Sequence, residues 1–278
     1  MNRRAAAAPL QGYVLHHWDW SETSLIVDLF TRERGRIAAA AKGAKRPYSQ
    51  LRPVLLPFQR LHLTLGRAPA DAAAEVHLLR HAEWAGGAPM LSGGALFSGF
   101  YANELLMKLL ARDDPYPHLF DAYAQTLPSL RSNGASGTNG TNGTNGDDSH
   151  AQAALRAFEL LLLRETGVLP ELGRVTLTQQ VVADTRRYQL VPEAGVIAAR
   201  DDAAALDGSQ LLALQAALAL GDLAALQRAC VVALPALRAA LRALLHYHLG
   251  ATPLRTRQVM QGVQRLLDVQ QAAAERTR

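Results

Sequence analysis

Residues 31–47, TRERGRIAAAAKGAKRP, decide how this chain is read. An apolar run at 37–41 lies between Arg32, Arg34 and Arg36 on one side and Lys42, Lys45 and Arg46 on the other. Such a run, with cations at both ends, suits a strand whose ends and following loop face a polyanion. Nucleic acid is the obvious one, because phosphate contacts supply most of its affinity for proteins. A solvated basic hairpin without a partner fits the same pattern, since a basic run alone is a weak signal.

Upstream, 12–16 (GYVLH) reads as a first strand, 17–23 (HWDWSET) as a polar turn and 24–31 (SLIVDLFT) as a second strand, β-branched and apolar. Arg32-Glu33-Arg34-Gly35 is then a hairpin turn, with Gly35 free to take a positive φ. The third strand is 36–42, and a basic loop, 43–52, runs to Pro53. Downstream, 54–65 (VLLPFQRLHLTL) alternates at Leu61, Leu63 and Leu65, and Pro57 marks a bulge or an edge. A fifth strand is expected at 73–79. Five short antiparallel strands suit a small closed barrel, either an OB-fold, whose open face binds oligonucleotides, or an SH3-like barrel.

From about residue 91 the period changes. Leu96, Phe97, Phe100, Tyr101, Leu105, Met107, Leu109 and Leu110 recur mostly at three- and four-residue steps, and Asp113-Asp114-Pro115 is expected to end that helix and start the next. Residues 132–149, SNGASGTNGTNGTNGDDS, are too polar to bury apolar surface and read as a disordered loop. A helix resumes at 151–166, a strand-like segment covers 175–199, and further helices are expected at 207–219, 222–229, 231–249 and 255–273. The fold class is therefore α+β. An OB-fold barrel with a disordered N-terminal tail (1–80) precedes a mostly helical domain (81–278), which holds the low-complexity loop 132–150 and a small β-hairpin insert at 168–200.

The 278 residues carry a formal charge of +5, unevenly placed. Residues 1–70 hold eleven Lys/Arg against four Asp/Glu, a local charge of +7, so the remaining 208 carry −2. Concentrated basicity of this kind marks an anion-binding module joined to a near-neutral body. Cys230 is the only cysteine, which excludes an intrachain disulfide and a four-cysteine zinc site. No 18-residue apolar run or secretory signal is recognised, so a cytoplasmic, nucleoid-associated protein is expected. There is no P-loop, no G-x-S-x-G elbow and no H-E-x-x-H, so no enzyme and no cofactor are expected.

Six segments resemble the bacterial RecO family of recombination mediators: 21–47, 55–63 (LLPFQRLHL), 98–127, 158–167 (FELLLLRETG), 188–196 (YQLVPEAGV) and 246–257 (HYHLGATPLRTR). The resemblance implies an N-terminal OB-fold, a helical domain and an insert that binds zinc through four cysteines in many relatives. Here 168–200 contains no cysteine, so no metal is expected. It also implies binding of single- and double-stranded DNA, strand annealing, docking of the acidic C-terminal tail of single-strand binding protein, and work with RecR to load the RecA recombinase. On that reading Arg32, Arg34, Arg36, Lys42, Lys45, Arg46 and Arg52 contact phosphates, Trp18, Trp20 and Tyr48 are candidates for base stacking, and Lys108, Arg112 and Arg156 are candidates for tail docking. A helical protein-interaction adaptor, or a general RNA- or single-strand-binding protein, is the alternative.

Overall fold

The computed structural model describes residues 8–66, 76–86, 89–131, 145–199, 205–250, 253–260, 262–263 and 265. The N-terminal tail, most of the low-complexity loop and the last residues of the chain lie outside them. Strands β1 (Leu10–Asp19), β2 (Leu25–Thr31), β3 (Gly35–Ala41), β4 (Leu61–Leu65) and β5 (Val76–Trp84) close a barrel in the order β1-β2-β3-β5-β4. This is the expected OB-type architecture, with one correction. The β3–β5 pair is parallel, because an odd number of strands closed in a ring cannot alternate direction all the way round. Alternation along each strand turns Val27, Leu29, Ile37, Ala39, Leu61, Leu63 and Leu79 into the barrel. Gly35 takes the positive φ expected of it (64°), and a Cβ there would sit 1.7 Å from the Asp114 carbonyl oxygen.

Some boundaries move. β1 runs on to Asp19, so only 20–24 form the turn. The 54–65 strand shrinks to Leu61–Leu65, with Pro57 in an isolated bridge to Val14. β5 extends to Trp84, past the expected domain boundary.

The rest is helical: α1 (Gly93–Leu109), α2 (Pro117–Ser129), α3 (Asn145–Glu165), α4 (Gly208–Leu220) and α5 (Leu223–Leu249). The first-turn proline of α2 is Pro117 rather than Pro115, and α3 starts at Asn145, inside the expected loop. The two helices expected over 222–249 are one, with Pro235 inside it. By length and composition α5 could cross a membrane, but its Leu226, Cys230, Leu237, Leu241 and Leu244 are buried in the core it shares with α3 and α4. In the insert, only β6 (Arg187–Val191) and β7 (Gly195–Ala198) form the hairpin, and β8 (Leu206–Asp207) pairs with β6. The preceding loop has no strand. Backbone bonds such as Thr176 N to Val196 O (2.9 Å) and Val182 N to Gly173 O (3.0 Å) hold it.

The barrel interior is a core of its own, and a second core joins the barrel's outer face to the helices. Tyr13 and Phe30, on the outer face of the sheet, meet Phe120 and Tyr123 of α2 at ring-centroid distances of 5.1–6.1 Å. Buried Asn103 of α1 donates to the Leu15 carbonyl (3.0 Å) and accepts from the Tyr123 hydroxyl. This junction positions everything that follows.

Candidate nucleic-acid interface and anion pocket

The strand register arranges the outer face of β1-β2-β3-β5 in successive rows. Tyr13, Phe30 and Arg36 lie across from one another and are covered by the helices. His16, Asp28, Ala38 and Val76 form the next row. Trp18, Ile26, Ala40 and Leu78 form the third, beyond the reach of the helices. Ala40 gives this row a flat floor between larger side chains. Trp20, Lys42 and Val76 edge a groove of about 350 Å³ on it, with Ile26, Ala40 and Leu78 in its lining. Trp18 is 43% exposed and Trp20 54% exposed, so both indoles are open to solvent.

The loop after β3 stands at one end of this shelf. Lys45 N donates to the Thr23 carbonyl (2.9 Å) and Gly43 N to Ser24 Oγ (3.2 Å), which pins the loop to the β1–β2 tip carrying Trp20. Lys42, Arg46, Tyr48 and Arg52 are exposed, and among the described residues none of the three cations has a carboxylate within 4 Å. Lys45 reaches Asp19 at 3.2 Å and the Ser21 carbonyl.

The three arginines before the apolar run sit elsewhere. Arg32 makes a two-pronged bond to Asp121 of α2 (2.9 and 2.8 Å). That bond, more than the charge, holds the Asp121 carboxyl below its usual range. Arg34 bonds Asp113 at 2.6 Å. Arg36 grips the fully buried Asp28 with Nε and Nη2 (3.0 and 2.9 Å) and donates to the Met107 and Leu110 carbonyls at the C-terminal end of α1. Arg112 reaches the same Asp28 carboxylate at 3.4 Å. These four arginines hold barrel to helices, Arg36 buried in the junction and Arg32, Arg34 and Arg112 at its partly exposed rim. Sequence gave no sign of it, because three of the four partners lie 79 to 89 positions away.

A second site opens on the helical side. A cavity of about 850 Å³ lies among the start of α1, the end of α2, α3, α5 and residues 253–260. Leu130, Leu155, Leu245, Leu249 and Leu254 give it apolar walls, and Arg131, Arg156, Arg238, Arg242 and Arg257 supply the charge. No Asp or Glu is among the described residues lining it. Glu159 is buried beneath it, 2.9 Å from Arg156 Nη1, and accepts from the Tyr101 hydroxyl (2.7 Å). Burial pushes Glu159 up although Arg156, Arg238 and Arg242 pull the other way. A pocket with five cations and apolar walls suits an anion carrying apolar groups. Of the expected docking residues, Arg156 lines it, while Lys108 is exposed on α1 outside it and Arg112 belongs to the junction. Sequence reading missed Arg238 and Arg242. Their i,i+4 spacing on α5, with no acid within a turn of either, was the available signal.

Cys230 is fully buried and its thiol is pushed up to about 12 by desolvation, so it is unreactive. Among the described residues, no three His, Cys, Asp or Glu are placed to hold a metal ion.

Comparison with known proteins bears on both halves. Residues 8–80 match the family model Recombination protein O N terminal, and 90–140 match Recombination protein O C terminal. Curated relatives bear the name DNA repair protein RecO. The Polaromonas sp. (strain JS666 / ATCC BAA-500) protein is 49% identical over 91% of this chain and 96% of its own length. Its counterpart in Polaromonas naphthalenivorans (strain CJ2) is 50% identical over the same shares. The Acidovorax ebreus (strain TPSY) protein is 47% identical over 95% and 99%. With a five-stranded barrel at its front, helices behind and this identity over nearly its whole length, the chain belongs to the RecO family.

Proposed function

We propose that this protein is a DNA-binding recombination mediator in DNA repair, and that it takes single strands across the third row of the barrel face. The observation that carries the reading is the coincidence of an apolar groove over the row Trp18–Ile26–Ala40–Leu78, with two exposed indoles, Trp18 and Trp20, beside it, and a pinned cationic loop at its end. Bases stack on indoles without regard to sequence, each worth about 1–3 kcal/mol. Lys42, Lys45, Arg46 and Arg52 would neutralise phosphates, with Tyr48 beside them. Annealing of complementary strands needs just this: charge neutralisation that leaves the pairing edges of the bases free. Arg32, Arg34 and Arg36 are left out of the contact set, because each is engaged at the barrel–helix junction, whereas the carboxylate near Lys45, Asp19, is an exposed side chain of the barrel itself.

The pocket on the helical side suits the second half of the role. An acidic peptide ending in apolar residues fits its five arginines and leucine walls, which is the chemistry of the tail of single-strand binding protein. Protein bound to that tail would be delivered to coated DNA, and with RecR would give the RecA recombinase access. No covalent step is required of any residue. The adaptor alternative keeps the pocket and dispenses with the shelf. Titration of an oligo(dT) strand while following tryptophan emission separates them. Stacking should quench the emission, and Trp20→Ala should weaken binding by about 1–3 kcal/mol. Unchanged emission and unchanged affinity in that variant would leave only the adaptor.

A further inference from the structure

One wall of the arginine pocket comes from residues past α5. Pro253, Leu254, Arg257, Gln258 and Met260 all line it, and 255–260 are helical. This wall is tied down at a single side chain. Glu104, in the middle of α1 and 6% exposed, accepts from Arg255 N (2.8 Å), Thr256 N (3.0 Å) and Thr256 Oγ1 (2.7 Å). Its carboxylate thereby caps the first turn of a helical segment some 150 positions later, with charge-assisted bonds at the end where a negative charge is favoured. Glu104 does not itself line the pocket. It fixes the backbone of the two residues immediately before Arg257.

A buried carboxylate in the middle of an apolar helix stripe needs a reason. Leu105 and Leu106 beside it are fully buried, and helix packing alone would favour another leucine there. The three bonds supply the compensation a buried charge requires. What they hold in place is the pocket arginine farthest from a named helix: Arg257 lies eight residues past the end of α5. Arg156 is on α3, Arg238 and Arg242 are on α5, and Arg131, two residues past α2, is tied to its last turn by Arg131 N to the Pro128 carbonyl (3.1 Å).

We infer that Glu104 is the positioning residue of the anion pocket: by clasping Arg255 and Thr256 it holds Arg257 and Leu254 against the ligand. The inference rests on the pocket being a docking site for an acidic peptide with an apolar end. Glutamine at 104 keeps the shape but loses the charge, and its NH2 would face the amide donors it has to accept from. The remaining Oε1 can serve only one side of the clasp, so the wall keeps part of its anchoring and loses the charge-assisted bonds.

The test is a double-mutant cycle on the full chain, read by calorimetric titration with a short Asp-rich peptide ending in phenylalanine with a free carboxylate. Glu104→Gln and Arg257→Gln should each weaken binding about five- to tenfold, the size of one charge-assisted contact. The double variant should be no weaker than either single by more than about twofold, because both remove the same contact. The salt dependence of peptide binding should flatten equally in all three. Thr256→Val, which removes one bond of the clasp and leaves the carboxylate in place, should lose about two- to threefold and be non-additive with Arg257→Gln. It carries the cycle if Glu104→Gln does not fold. Wild-type affinity in the clasp variants, or losses that multiply with Arg257→Gln, would overturn the inference while leaving the pocket reading intact. If wild-type protein does not bind the peptide, or Arg156→Gln and Arg238→Gln leave binding unchanged, the pocket reading falls and this inference with it.

Discussion

Asp28→Asn is the sharpest perturbation of the junction. The Asp28 carboxylate is fully buried and is the common acceptor of two guanidinium groups, Arg36 at 2.9–3.0 Å and Arg112 at 3.4 Å. The Arg36 side chain is 15% exposed and the Arg112 side chain 35% exposed. Asparagine removes the negative charge and leaves two cations side by side, in adjoining backbone segments bridged at Arg36 and Arg112. Removing one partner of a buried ion pair costs about 3–5 kcal/mol, because the other charge stays buried and uncompensated. The partial exposure of Arg112 points to the lower end, about 3 kcal/mol. At roughly 2–4 °C per kcal/mol for a chain of this size, the melting midpoint should fall by about 6–12 °C. The assay reads the two halves separately. All three tryptophans, Trp18, Trp20 and Trp84, are on the barrel, whereas the far-ultraviolet circular dichroism comes mainly from α1–α5. In urea both probes should shift together, since the Tyr13/Phe30–Phe120/Tyr123 contact still joins the halves. A loss below about 1 kcal/mol would refute the reasoning, because the shared carboxylate would then not be holding the junction.

Three other outcomes are expected. Gly35→Ala should destabilise by about 3 kcal/mol or more, because the new Cβ meets the Asp114 carbonyl at a backbone conformation of positive φ; a urea midpoint within error of wild type would contradict this. Asp121, whose carboxyl Arg32 holds below the usual range, contributes stability that is present above the ordinary carboxylate pKa and lost as pH falls through its lowered value. Asp121→Asn should therefore flatten the acid limb of a stability–pH profile, and an unchanged limb would count against the Arg32 bond. Arg238→Gln should weaken the acidic peptide while leaving oligo(dT) binding unchanged, as read by parallel titrations, because the pocket and the shelf share no lining residue.

The barrel was legible because its signals are local. Alternation at Leu61 and Leu63, the β-branched run of β2 and a glycine at the β2–β3 turn each act within a few residues. The junction was not. A cation before a strand looks the same whether it faces a phosphate or Asp121, and the deciding partner is 89 positions away. The same physics split the expected phosphate contacts into an arginine triplet paired at the barrel–helix junction and a basic loop that stands clear of it. It also hid the pocket, whose five arginines are spread over α3, α5 and the chain after α2 and α5. Helix ends moved for local reasons of another kind: Pro117, at the first helical position, fixes the start of α2, so Pro115 stays in the loop before it.

The central claim is that the loop after β3, and not the arginines before it, carries the phosphate contacts. Its most direct test is the salt dependence of oligo(dT) affinity. With Lys42, Lys45, Arg46 and Arg52 engaged, the log–log slope for the wild-type chain should be about −3, at roughly −0.7 per single-strand phosphate. Replacing those four by glutamine should bring the slope close to zero, and replacing Arg32 and Arg34 should leave it near −3 in protein that remains folded. A wild-type slope near zero, or a slope that survives loss of the loop cations and collapses with Arg32 and Arg34, would contradict the account.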